Sequence, residues 1–65
     1  MDATIEVIRD VAGNKILRLR FGKESQDAEA TAKGLVQLQD IARIEHLNLT
    51  IPIAVLWTAQ AKKVA

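Results

Sequence analysis

Residues 4–21 read Thr4-Ile5-Glu6-Val7-Ile8-Arg9-Asp10-Val11-Ala12-Gly13-Asn14-Lys15-Ile16-Leu17-Arg18-Leu19-Arg20-Phe21. Two alternating runs flank a short Ala-Gly-Asn segment. In the first run Ile5, Val7 and Val11 share a face, with Arg9 interrupting, while Thr4, Glu6, Ile8 and Asp10 share the other. In the second, Leu17, Leu19 and Phe21 face one way and Ile16, Arg18 and Arg20 the other. A period of two with β-branched residues is the mark of a half-buried strand. Gly and Asn accept positive φ, so Ala12-Gly13-Asn14 predicts a hairpin turn. Matching the apolar faces across a three-residue loop puts Val11 opposite Lys15, Arg9 opposite Leu17, Val7 opposite Leu19 and Ile5 opposite Phe21. The same register sets Glu6 against Arg20 and Asp10 against Ile16 on the outer face.

Beyond the hairpin, Gly22 ends the second strand and Ser25 is a natural helix N-cap, with Asp27 and Glu29 near the positive end of the helix dipole. Residues 26–46 are rich in good helix formers and predict one helix. Its stripe runs through Ala28, Thr31/Ala32, Leu35, Leu38 and Ile41/Ala42, and Gly34 within it points to close backbone approach to the sheet.

Residues 48–58 support two readings. Leu49, Ile51, Ile53, Val55 and Trp57 alternate strictly, which favours a third strand with Trp57 buried. Thr50 as a cap, Pro52 in a first turn and the stretch Ala54–Val64 favour a helix. The strand is the preferred reading, at a sheet edge because Pro52 cannot donate a ladder hydrogen bond. The expected fold is therefore α+β in the order β-β-α-β. One helix packs on a three-stranded sheet made of an antiparallel hairpin plus a third strand, in a single domain over residues 1–65.

Composition sets bounds on the rest. The chain has 65 residues, 49% hydrophobic and 26% charged, with a formal net charge of +1. That is a folded composition, not a disordered one. There is no cysteine, which excludes disulfide frameworks, cysteine-ligated metals and thiol nucleophiles. Only Phe21 and Trp57 are aromatic, and ten residues are alanine, so the core is small. A domain near this size is marginal on burial alone, and self-association is one remedy. The opening residues carry no signal-peptide pattern, and the apolar run Ile51–Trp57 is far shorter than the roughly 20 residues a membrane helix needs. The expectation is a cytoplasmic protein with no membrane partner.

Nothing in the residues predicts chemistry. His46 is the single histidine, without a second ligand at metal spacing, and it suits a helix C-terminus. Asp40 and Glu45 fall on different sides of a helix and make no carboxylate pair. The three glycines, Gly13, Gly22 and Gly34, form no phosphate loop. The expectation is a non-enzyme with no cofactor, no metal and no small-molecule substrate.

What remains is surface. Ile8, Ile16, Ala54 and Leu56 fall on the sheet face that a single helix cannot cover, and Pro52 marks an edge. These five residues are the expected partner interface, most simply in a two-fold homodimer or with another protein. The leading reading is a small intracellular interaction or regulatory module. The alternative is a dimeric nucleic-acid-binding regulator that presents Arg18 and Arg20 from strand two and Lys62 and Lys63 from the tail.

Overall fold

The computed structural model describes residues 1–61. The hairpin forms: β1 (Asp2–Arg9) pairs antiparallel with β2 (Lys15–Phe21). Its faces are those the alternation demands, because Ala3, Ile5, Leu17, Leu19 and Phe21 are all buried. Its register differs from the expected one by two residues. Val7 sits opposite Leu17, Ile5 opposite Leu19 and Ala3 opposite Phe21, with Arg9 against Lys15. The cause is Asp10. Its carboxylate accepts hydrogen bonds from the backbone N–H groups of Ala12 (3.0 Å) and Asn14 (2.9 Å), and its backbone N–H donates to the Asn14 carbonyl (2.9 Å). This Asx-type closure takes residues 10–14 into the loop and leaves Val11 fully exposed instead of in the core. A shift of two residues preserves which side chains point inward, so the hydrophobic pattern alone does not select between the two registers.

The expected helix over 26–46 is shorter than predicted, and a strand occupies its first part. β3 (Glu24–Glu29) pairs antiparallel with β2. The connection is the two-residue turn Gly22-Lys23, with Gly22 at φ 61°, the positive φ that a II′ hairpin places on its first central residue. Ser25 therefore lies in a strand, opposite Arg20, and does not cap a helix. The cap is Thr31. Its backbone is extended (φ −135°, ψ 168°), and its hydroxyl oxygen accepts from the Gly34 N–H at 3.0 Å. From there α1 runs over Ala32–Ile44 and buries Gly34, Leu35, Leu38 and Ala42. It ends in a Schellman arrangement. The Leu47 N–H donates to the Ala42 carbonyl at 2.8 Å and the His46 N–H to the Arg43 carbonyl at 3.2 Å, with His46 at φ 56°.

The predicted third strand over 48–58 is corrected as well. Only Asn48–Thr50 forms a strand, β4, which pairs parallel with β1. Ile53–Ala61 is a second helix, α2, and its first turn is anchored on the Pro52 carbonyl, which accepts from the Val55 N–H at 3.0 Å. Pro52 before the first helical residue stops β4 and pre-sets a helix entry. Trp57, expected inside, is exposed. Lys62, Lys63 and Val64 lie outside the described residues.

The architecture is α+β, with a four-stranded mixed sheet in the order β3-β2-β1-β4 and two helices. β3 and β4 run parallel to each other at opposite edges, so α1 is the crossover that such a parallel pair requires. One core cluster joins Ile5, Leu17, Leu19 and Phe21 from the hairpin, Leu35 and Leu38 from α1, and Val55 and Ala59 from α2. The other sheet face is open.

Gly34 fixes how α1 meets β3. A Cβ placed on it would lie 1.9 Å from the Glu29 carbonyl oxygen and 2.8 Å from the carbonyl carbon, so backbone meets backbone there. Gly34→Ala is expected to lower stability by about 2 kcal/mol or more, although alanine is the better helix former by about 1 kcal/mol. Urea denaturation measures this. A variant as stable as the parent would mean that α1 does not rest against Glu29.

Candidate functional site

The open face of the sheet is polar and internally matched. Alternation places Ser25, Asp27 and Glu29 of β3 beside Arg20, Arg18 and Ile16 of β2, and these beside Thr4, Glu6 and Ile8 of β1. Arg18 binds Asp27 through two nearly parallel hydrogen bonds, Nε to Oδ1 at 2.7 Å and Nη2 to Oδ2 at 3.0 Å. Arg20 lies opposite Thr4 and reaches diagonally to the Glu6 carboxylate. The expected Glu6–Arg20 contact is therefore made, although Glu6 stands directly opposite Arg18. Fork-to-fork arginine–carboxylate geometry is the strong form of this interaction. The hydrogen bond from Arg18 holds the Asp27 carboxyl below the usual carboxylate range and raises the Arg18 guanidinium further above its ordinary value.

These pairs bear on the nucleic-acid reading. Arg18 and Arg20 are brought together on one face, as expected, but each is engaged by a carboxylate. The face also lacks an aromatic side chain on which a base would stack, since Phe21 is buried under the helices. Lys62 and Lys63 lie outside the described residues.

The five expected interface residues separate into two places. Ile8 and Ile16 stand directly opposite one another on the open face, both half-buried, next to Glu29. They form a cross-strand aliphatic pair that shelters itself. Pro52, Ala54 and Leu56 lie instead at the start of α2 and along it, and all three are exposed. Strand assignment had put them on the sheet; helix formation moves them to the side of the molecule that carries α1 and α2.

The surface that the sequence reading missed is the outer side of α2. Residues 53–61 contain no ionisable side chain. Val55 and Ala59, four apart, turn inward and are buried. The opposite side is also apolar: Trp57 is 74% exposed, Ile53 71% and Leu56 39%. Positions 53, 56, 57 and 60 follow the i, i+3, i+4, i+7 spacing of a single helical face, with Gln60 completing it. The signal in the sequence was the lack of any polar stripe between Ile51 and Ala59.

Outside α2, the other large exposed apolar side chains among the described residues are Met1, Val11, Val36 and Ile44. Among the described residues, no polar or charged side chain is buried, and no group of three or more His, Asp or Glu could hold a metal ion. His46 is exposed at the end of α1. A shallow depression of about 130 Å³ between Glu29, Lys33, Gly34 and Gln37 lies beside the start of α1, away from His46. Among the described residues, no helix is long and apolar enough to cross a membrane.

No family model, curated protein or solved structure matches the chain.

The Arg18–Asp27 pair has a defined pH signature. Asp27 has a lowered pKa in the folded protein, so its contribution is present above the unfolded carboxylate value, about 3.9, and is lost as pH falls through the folded value. The stability difference between the parent and Asp27→Asn should therefore be constant from about pH 5 to pH 8 and shrink towards zero in stronger acid. Paired thermal melts across that range check it. A difference that grew on acidification would contradict the pairing.

Proposed function

We propose that this chain is a small, non-catalytic interaction module of the cytoplasm that works by surface contact, and that the contact surface is the outer face of α2. The observation that supports this reading most is the exposure of Ile53, Leu56 and Trp57 on a helix with no charge between Ile53 and Ala61. Single exposed apolar residues are ordinary on soluble proteins. Three large ones on a single helical face make a contiguous patch of the kind that marks binding surfaces. Tryptophan is also the side chain most enriched at the energetic centres of interfaces. Pro52 and Ala54, expected at the sheet edge and on the sheet face, are exposed beside the patch instead.

The open sheet face is a weaker candidate. Its two isoleucines cover each other, and its charges are matched in cross-strand pairs, which leaves a solvated surface as its simplest use. The same pairs weigh against Arg18 and Arg20 as phosphate contacts, because the carboxylates of Asp27 and Glu6 already occupy them.

The reading requires that the patch be spare, not part of the core. In dilute solution, Ile53→Lys and Trp57→Lys should each change the unfolding free energy by no more than about 0.5 kcal/mol, the usual range for surface positions. Val55→Ala, a small truncation of a buried side chain, should by contrast cost about 1–3 kcal/mol. Chemical denaturation at submicromolar protein measures all three. A loss above about 2 kcal/mol in either lysine variant would place those side chains in the fold and remove this surface.

A further inference from the structure

We infer that the occupant of the α2 face is a second copy of this chain, docked about a two-fold axis that passes beside Leu56 and Trp57. This rests on the reading of α2 as the contact surface and adds the identity of the partner.

Three observations carry it. The first is charge. Residues 53–61 carry no ionisable side chain, so α2 itself offers no charge to select an acidic or basic partner. Over these residues, two identical copies set no like charges against each other, as a two-fold contact would with a charged helix. The second is area. Ile53, Leu56 and Trp57, at their observed exposures, leave roughly 350 Å² of apolar side chain in water, taking about 250 Å² for a whole tryptophan and about 150 Å² for each aliphatic side chain. A stable interface of standard size buries about 800 Å² per partner, somewhat more than half of it apolar. The patch thus supplies about three quarters of the apolar share of one side of a dimer. The third is pattern. Antiparallel pairing about that axis sets Leu56 against Trp57 of the second copy, and Ile53 against Gln60 of the second copy. The large side chains then meet at the centre and the amide lies at the rim, the layout of a core surrounded by a polar border. The stripe is self-complementary, which is what a two-fold contact needs.

Sedimentation equilibrium on the full chain across about 5–500 µM tests the stoichiometry. The expected result is a monomer–dimer equilibrium, weakened at least about 30-fold by Trp57→Lys, the loss typical of a central tryptophan. Because the chain has no cysteine, a single introduced thiol reports geometry cleanly. Under mild oxidation, Leu56→Cys should give a covalent dimer, whereas Ile8→Cys on the open sheet face should not. A strict monomer over the whole range overturns the inference, and so does cross-linking through Ile8→Cys without Leu56→Cys. Partition of monomeric protein onto neutral phosphatidylcholine vesicles, with no dimer in solution, also overturns it and makes a lipid surface the occupant. None of these results alters the denaturation of Ile53→Lys and Trp57→Lys, so failure of the two-fold pairing is separable from failure of the α2 surface itself.

Discussion

Val55 and Ala59 are the two buried side chains of α2, and the surface character of this molecule follows from that. A helix resting on other elements buries one stripe. In α2 the stripe is narrow, and the side chains that remain outside are larger than those that go in. The chain reaches this state because β4 is short and Pro52 follows it closely, so the backbone leaves the sheet edge after three strand residues and turns back towards β1. Val55 and Ala59 then close the core over Ile5, Leu17 and Leu19, none of which is exposed. Trp57, Ile53 and Leu56 have no place left in it.

The rest of the fold is built to tolerate exposure. The open sheet face carries its charges in opposed pairs, Arg18 with Asp27 and Arg20 with Glu6, so it is comfortable in water without a cover. The long outer edge is β3, whose Glu24, Asp27 and Glu29 discourage strand addition. The other edge, β4, is only three residues long and ends just before a proline. Both edges are thus guarded. Among the described residues, the outer side of α2 carries three large exposed apolar side chains, Ile53, Leu56 and Trp57, on one helical face, which is why the proposed contact falls there and not on the sheet.

The sequence revealed the parts of this fold in which burial imposes a period. The hairpin was legible because Ile5, Leu17, Leu19 and Phe21 alternate with polar residues, and that alternation is the burial pattern itself. Its register was not, since a two-residue shift keeps every face and the decision lies in the side chain of Asp10. β3 was hidden because Glu24–Glu29 has a single apolar side chain, Ala28, and its Glu, Gln and Ala residues favour helices; pairing with β2 overrides that preference. Gly34 was read correctly as a close-approach position, though the backbone it approaches belongs to a strand the sequence did not disclose. α2 was misread for the opposite reason. An all-apolar helix satisfies a period of two as readily as one of 3.6, so Ile51, Ile53, Val55 and Trp57 could pass for a strand. Of the expected contact residues, Pro52, Ala54 and Leu56 were placed by strand alternation on the sheet face and its edge; they lie instead before and along α2, where they are exposed. Ile8 and Ile16 lie apart from it on the open face.

The most direct test of this account uses the single tryptophan of the chain. Acrylamide quenching of Trp57 in the folded protein, at a concentration low enough for it to be monomeric, reads whether the outer face of α2 is wet. The account predicts red-shifted emission and quenching close to that of a free indole, with protection appearing as the protein is concentrated. A blue-shifted, shielded Trp57 in the dilute monomer would mean that residues 49–58 bury it as a strand would, and that the surface described here does not exist.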